Sequence, residues 1–288
     1  MKPAPFDYLR ANTLDDVCNS LSKNPNALII AGGQSLLPML SMRLARPSLI
    51  IDIANVRNFN KIEKKDDIIN IGPMVRQSIA YKSSLLESNL PLLIKALEFV
   101  GHPPTRSRGT IGGSIVQGDP SAEIPLVAVT LGATFHIRDG NENIDILASD
   151  FFLGPMITEM PTSGCLYNIS FPIPKSQKIG NGFHEIAPRK SDYAFASAAV
   201  QIESSYDGKI ESISLGIGGA VDYPQLININ EYNDKTINLK KINELIKEAI
   251  LDINFVGDFQ ASVEYRKRVV IELATRSLKD ALIEIGHR

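Results

Sequence analysis

Two glycine pairs mark the residues whose types and spacing suit a definite chemistry. The first lies in Ala31-Gly32-Gly33-Gln34-Ser35-Leu36, directly after the β-like run Ala27-Leu28-Ile29-Ile30. The second lies in Gly109-Thr110-Ile111-Gly112-Gly113-Ser114, which continues Ile115-Val116-Gln117-Gly118-Asp119-Pro120-Ser121-Ala122-Glu123. Paired glycines let a backbone turn tightly and present its N–H groups without Cβ interference, as a phosphate or pyrophosphate requires. Asp119-Pro120 reads as a helix start, with Asp as N-cap and Pro at the first helical position. A helix N-terminus at that point adds its dipole to the anion site. Two such loops, about eighty residues apart, suit a single diphosphate held between them.

Each of these residues also has a plainer reading. Gly32-Gly33 suits an ordinary strand-to-helix turn; the third glycine of a GxGxxG fingerprint is absent and no Walker lysine follows. Gly112-Gly113 suits a tight turn before a buried helix. Glu123, in the first turn of that helix, is favoured there by the dipole alone, and is equally placed to accept from a sugar-like hydroxyl. Arg106 and Arg108 either approach phosphate or pair at the surface, the surface being preferred for Arg108. Tyr193, following Arg189-Lys190-Ser191-Asp192, is either a strand aromatic or a platform for a flat ring. Ser35 has no His–acid pair in its motif and is not a nucleophile candidate.

The elements that must position these loops follow from pattern. The 288 residues can bury a sizeable core and suggest two or three compact units. Thr13-Leu14-Asp15-Asp16 resembles a capping box with Asp in place of Glu, and Leu14, Val17, Cys18 and Leu21 follow at helical spacing. Cys18 then belongs to a core face. Strands are expected at 27–31 and 48–53, with a helix over 34–44 between them, so the first sixty residues form a small α/β unit. Lys61 to Asp67 reads as a solvated charged edge before a strand at 68–72. A helix begins at Asn89-Leu90-Pro91 and runs to Val100. Ile124 to Leu131, almost wholly apolar, reads as a buried helix. Strands are expected at 134–138 and 166–171, and the segment Phe171 to Gly182 marks a domain boundary. Beyond it, 193–203 and 209–218 read as strands of an antiparallel meander. Two helices close the chain, one carrying Leu239, Ile242, Leu245, Ile246 and Ile250, the other running from Val263 to Leu282. The expected units are 1–60, 61–175 and 176–288.

Composition limits the function. Thirty Lys and Arg against 32 Asp and Glu give a formal charge of −2, which offers no broad basic field for nucleic acid or membrane. The N-terminal residues lack the apolar region of a signal peptide, and no apolar run approaches a membrane span, so a cytoplasmic protein is expected. Cys18 and Cys165 cannot supply the four thiolates of a cysteine-ligated iron–sulfur cluster. The four histidines form no HExxH pattern, and no metal site is expected.

The two loops, together with Asp-Pro-Ser-Ala-Glu at 119–123, resemble the paired FAD-binding signatures of the molybdenum hydroxylases. The chain is similar to the separate FAD-binding medium subunit of the bacterial members, the xanthine dehydrogenase and aerobic carbon monoxide dehydrogenase family. The likeness spans nearly the whole chain. It includes Lys2-Pro3, Phe6-Asp7-Tyr8, Ile71-Gly72-Pro73-Met74, Gly216-Ile217-Gly218-Gly219 and Ala261-Ser262-Val263-Glu264-Tyr265-Arg266.

The resemblance implies an α+β fold of the vanillyl-alcohol-oxidase type, with two FAD-binding subdomains and then a C-terminal antiparallel sheet with helices. It places Ala31, Gly32, Gly33, Gln34, Ser35 and Leu36, with Thr110, Ile111, Gly112, Gly113 and Ser114, along the FAD diphosphate. Glu123 meets ribityl or ribose hydroxyls. Leu166 and the Val100-Gly101-His102 segment border the adenine, and Tyr193 lies near the isoalloxazine. It also implies an iron–sulfur small subunit and a molybdenum-cofactor large subunit as partners in a dimer of heterotrimers, with electrons leaving to an external acceptor. Two other readings stay open: a stand-alone FAD oxidoreductase of the same fold, and a non-catalytic dinucleotide-binding module.

Overall fold

The computed structural model describes residues 2–229 and 239–286, with the backbone alone for 239–241. Three sheets of three to five strands, with a two-stranded hairpin besides, follow one another along the described residues. The first is parallel, in the order β1-β3-β2, built from β1 (Asp7–Arg10), α1 (Leu14–Lys23), β2 (Ala27–Ile30), α2 (Leu36–Ser41) and β3 (Leu49–Asp52). The capping box at the start of α1 forms as the sequence predicts: Asp16 N–H donates to Thr13 Oγ1 at 3.1 Å, and Thr13 N–H to Asp16 Oδ2 at 2.9 Å. Val17, Cys18 and Leu21 lie buried under it. β1 was not expected, because four residues open to solvent on most sides show no alternation; pairing with the distant β3 creates it. The helix expected over 34–44 is confined to Leu36–Ser41.

The second sheet is antiparallel, in the order β4-β5-β10-β6-β7. Its chain runs β4 (Ile62–Lys65), β5 (Ile68–Ile71), α3 (Gln77–Tyr81), α4 (Ser84–Asn89), α5 (Pro91–Leu97), α6 (Pro103–Arg108), α7 (Ile111–Gln117), α8 (Glu123–Thr130), β6 (Thr134–Asp139), β7 (Glu142–Leu147), α9 (Ala148–Phe151), the short hairpin β8 (Phe152–Gly154) and β9 (Ile157–Thr158), and β10 (Gly164–Pro172). The charged edge at 61–67 is therefore a strand, β4, whose charges suit an exposed sheet edge. α8 is buried on every side, as its apolar run predicts, and it packs on both α5 and the third sheet.

The third sheet is the antiparallel meander β11 (Lys178–Ile186), β12 (Ala196–Ser204), β13 (Ile210–Gly218) and β14 (Gln225–Ile227), covered by α10 (Leu239–Ala249) and α11 (Val263–Glu284). Part of the segment expected as a domain boundary is β11. Its two glycines disguised it, and the structure shows why they are there. A Cβ on Gly180 would stand 1.9 Å from the Ala281 carbonyl oxygen, and one on Gly182 the same distance from that of Ser277. α11 therefore lies directly on the strand. The strand expected from 193 begins only at Ala196, and the side chain of Leu239 lies outside the described residues.

Candidate functional site

The first glycine loop leaves β2 and enters α2 with its backbone donors free. Gly33 has φ +72°, a conformation that glycine alone adopts at no steric cost. Gly32 sits against the second motif: a Cβ there would stand 2.4 Å from the Arg108 carbonyl oxygen and 3.0 Å from Gly109 Cα. Among the described residues, the N–H groups from Gly32 through Leu36 have no protein acceptor, while the Gly33 carbonyl already takes the Leu37 N–H at 3.1 Å. Successive free amides of this kind form an anion-binding concavity.

The second motif corrects two expectations. Gly112 and Gly113 are not in a turn; they occupy the first turn of α7, with Thr110 as N-cap. Their amides are engaged within the protein. Ile111 N–H donates to Val75 O at 2.9 Å, Gly112 N–H to Pro73 O at 3.1 Å, Gly113 N–H to Thr110 Oγ1 at 3.0 Å and Ser114 N–H to Thr110 O at 3.2 Å. Glycine is required at 112 because a Cβ would fall 2.4 Å from Pro73 Cβ. Nor does a helix begin at Asp119-Pro120. Those residues form a turn in which Asp119 Oδ1 accepts the Ser121 N–H at 2.9 Å, and α8 starts at Glu123 itself.

Between the two motifs lies a cleft of about 830 Å³, within the size of small-molecule and cofactor sites. It brings together Ala31, Gly32, Gly33, Gln34, Ser35, Leu36, Gly101, His102, Thr110, Gly112, Gly113, Ser114, Glu123, Leu166 and Tyr193. Ile111 is the exception, fully buried in the core behind the wall. The structure also brings in residues that no motif marked. Gln77 is buried at the wall with its Oε1 unpaired among the described residues, and Gln260 reaches the cleft from the loop before α11. Neither sits in a recognisable spacing, so only the folded chain reveals them.

The cleft has two unlike ends. At one, Leu166 and Cys165 of β10 stand near Leu21 of α1; Cys165 is buried, and burial raises its thiol pKa. At the other, the Pro188–Tyr193 loop closes in. Gly101 and His102 open onto a second, smaller cleft shared with Lys190 and Ser191 of that loop. Val100, Gly101 and His102 thus share the main cleft with Leu166, and Gly101 and His102 also border the Tyr193 loop. Ser191 is held at φ +71°, a strained conformation for a non-glycine residue, just before Tyr193. Tyr193 belongs to no strand and remains largely open at the mouth. Arg106 is tied inward, donating to Val100 O at 2.8 Å and Gly101 O at 2.7 Å and stacking over Tyr81, while Arg108 is exposed.

The Tyr193 end is acidic. Burial pushes the Glu123 carboxyl up to about 7, Asp119 adding to the effect while its own backbone N–H and Arg106 oppose it. Burial likewise raises Asp119, against the Ser121 N–H. Desolvation by the cleft wall raises the Tyr193 hydroxyl even though most of the residue is open to solvent, and the charges of Asp119 and Glu123 add to it. A cleft with free amides along it, a carboxyl of raised pKa and an open aromatic offers the groups that a dinucleotide carrying a flat ring requires. Orphaned donors and acceptors in its wall await such a ligand.

Comparison with known proteins agrees with this geometry. The chain matches the model described as FAD binding domain in molybdopterin dehydrogenase over residues 4–174, and that described as CO dehydrogenase flavoprotein C-terminal domain over 181–281. It is 32% identical over 283 residues to the nicotine 6-hydroxylase medium subunit of Paenarthrobacter nicotinovorans, covering 98% of this chain and 99% of that one. A chain of quinoline 2-oxidoreductase from Pseudomonas putida 86 superposes with a TM-score of 0.92 at 30% identity, covering 99% of this chain and all of that one. A chain of carbon monoxide dehydrogenase from Hydrogenophaga pseudoflava superposes with a TM-score of 0.93 at 25% identity and 99% coverage of both.

Proposed function

The chain belongs to the family of FAD-binding medium subunits of the molybdenum hydroxylases, and from that membership we propose how its cleft is used. It is an oxidoreductase subunit whose cofactor is FAD. Bound FAD supplies a group that accepts electrons singly and passes them on singly or in pairs. The residues here bind it, orient it and shield it.

The observation that carries the assignment of residues is the run of free amides from Gly32 to Leu36. We infer that these N–H groups hold the diphosphate, with the Thr110 N–H and the Ser114 hydroxyl facing them across the cleft. Ala31, Gly112 and Gly113 frame that contact by allowing close approach, and Ile111 anchors α7 behind it. Glu123 accepts from ribityl or ribose hydroxyls. Leu166 and the Val100-Gly101-His102 segment, which line the same cleft, border the adenine, and Tyr193 lies beside the isoalloxazine. The three units 1–60, 61–175 and 176–288 then divide the work: the first two hold the cofactor and the third closes over its ring.

The nicotine 6-hydroxylase relative is named a medium subunit, which supports partners that hold the metal centres. An iron–sulfur small subunit delivers electrons released at a molybdenum-cofactor large subunit, in a dimer of heterotrimers in the cytoplasm, and an external acceptor removes them. Two cysteines fall short of the four thiolates of one cluster, so the clusters belong to the partner. No helix of the described residues is long and apolar enough to cross a membrane.

The test is reduction of the purified chain with and without its partners. Alone, it should be yellow, release its flavin on acid denaturation, bleach with dithionite and leave organic substrates untouched. With the iron–sulfur and molybdenum subunits added, bleaching should depend on the organic substrate. Turnover of such a substrate by the isolated chain with an artificial acceptor would instead establish a stand-alone oxidoreductase.

A further inference from the structure

None of the residues Ala261-Ser262-Val263-Glu264-Tyr265-Arg266 lines the cleft, yet three segments of its wall are tied to the last of them. Ser262 caps α11, its Oγ accepting the Tyr265 N–H at 3.2 Å. Arg266, the fourth residue of that helix, is only 5% exposed. Arginine is seldom buried unless paired, and a cation near a helix N-terminus opposes the dipole. Specific partners hold it there instead. Nη1 donates to Gly219 O at 2.7 Å, Nη2 donates to Asp258 Oδ2, and the guanidinium carbon stands 5.8 Å from the centre of the Phe195 ring.

Each partner leads to the cleft. Asp258 Oδ1 accepts the Gln260 N–H at 2.8 Å and the Ala261 N–H at 3.0 Å. The same carboxylate therefore folds the turn that brings Gln260 to the wall and anchors that turn to Arg266. Gly219, at φ +70°, donates its N–H to Pro120 O at 2.8 Å, between the cleft residues Asp119 and Ser121. A Cβ on Gly219 would also stand 2.9 Å from the carbonyl oxygen of Ala194, the residue after Tyr193. Phe195 continues that loop, its N–H donating to Ile186 O at 2.8 Å. One guanidinium thus ties together the Asp119 turn, the Tyr193 loop and the Gln260 turn. A planar fork of donors with a stacking face can serve all three at once, whereas a lysine ammonium cannot.

We propose that Arg266, paired with Asp258, is the positioning residue for the Tyr193 end of the cleft: the pair holds Gln260 and Tyr193 where they receive the flat ring of the cofactor. Tyr193 offers an aromatic surface and Gln260 an amide that both donates and accepts. The arginine is not placed for its own satisfaction, since its Nε is buried without an acceptor among the described residues, a state that costs stability. Its other contacts join segments far apart in the chain, and they explain why a buried cation sits where an apolar side chain would pack more cheaply. The part played toward FAD rests on the cofactor reading above; the three-way clasp does not.

The experiment uses the full chain and two variants that break the clasp differently. Arg266→Met keeps the buried stem and removes the charge, an exchange that buried ion pairs often tolerate. Asp258→Asn keeps an acceptor for the Gln260 turn and removes only the charge facing Arg266. The first readout needs no cofactor: Phe259, 97% exposed at the tip of the Gln260 turn, is a chymotrypsin site that is cut only when the turn opens. Cleavage after Phe259, located by mass spectrometry, should quicken at least roughly tenfold in both variants, the effect of one lost charge-assisted hydrogen bond. The second readout compares FAD with ADP, which carries the adenine and diphosphate but no flat ring. FAD affinity should fall at least roughly tenfold in both variants, with ADP affinity unchanged, and Gln260→Ala should likewise weaken FAD and spare ADP. Equal losses for FAD and ADP would mean that the pair merely supports the fold, and would overturn the proposal. Cleavage at the parent rate, or FAD affinity like the parent's in any of the three variants, overturns it too. Failure of the unsubstituted protein to bind FAD would sink the cofactor reading instead, with the cleavage rates still deciding for or against the clasp.

Discussion

The two glycine loops look alike as text and differ as physics. Gly32-Gly33 leaves its amides, from 32 to 36, open to the cleft; Gly112-Gly113 has its amides bonded to Pro73 and to the cap Thr110. In the first loop glycine keeps the backbone open to the cleft, through φ +72° at Gly33 and the close approach of Gly32 to Arg108. In the second it serves packing, letting α7 lie against Pro73. A repeated motif thus divides into a half whose amides stay free and a half whose amides support the packing, and hydrogen-bond accounting, not sequence likeness, separates them.

The largest effect should come from the supporting half. Gly112→Val puts a branched side chain where even a Cβ would stand 2.4 Å from Pro73 Cβ and 2.6 Å from its Cα. Overpacking of this kind costs about 1–3 kcal/mol, and the Gly112–Pro73 bond is strained as well. Thermal unfolding of the apoprotein should move down by several degrees. A variant as stable as the parent that merely loses flavin would break the comparison, because the second loop would then be the direct binding site.

Gly32→Ala should show the reverse weighting. Its Cβ would wedge the two loops apart at Arg108 and turn the free amides from their ligand. One charge-assisted hydrogen bond is worth about 1.5–3 kcal/mol, so FAD retention after dialysis should fall at least tenfold, with a smaller change in apoprotein melting. Full retention would show that the first loop does not grip the diphosphate.

The smallest effects sharpen the contrast at the two caps. Thr110 caps α7 through Gly113 N–H, whereas Ser35 makes no side-chain cap bond to α2. Thr110→Ala should cost about 1 kcal/mol of apoprotein stability, as cap deletions do. Ser35→Ala should stay within about 0.5 kcal/mol, as uncoupled surface changes do. Denaturant titration of the pair would measure the difference, and equal losses would mean that Ser35 caps its helix after all.

Much was legible in the sequence wherever a pattern is local. The capping box at Thr13, the apolar run of α8, the meander strands and the presence of two glycine pairs after their β-like or polar lead-ins follow from neighbours a few residues apart. The family likeness rested on those same short stretches. What was not legible depends on distant partners: β1 exists because β3 lies beside it, and β11 reads as a linker until α11 is laid on Gly180 and Gly182.

The residues around the cleft divide the same way. Composition and motif determined that the chain has two Gly-Gly loops, a carboxylate at Glu123 and too few cysteines for a cluster. Only the tertiary structure decided which loop keeps its amides free, because that depends on whether Pro73 and Val75 arrive to accept them. It also decided that α8 begins at Glu123, that Gly101 and His102 share a cleft with Leu166, and that Gln77 and Gln260 reach its wall. A side chain's type is written in the chain, but its hydrogen-bond partners and its exposure to water are set by segments that meet only on folding.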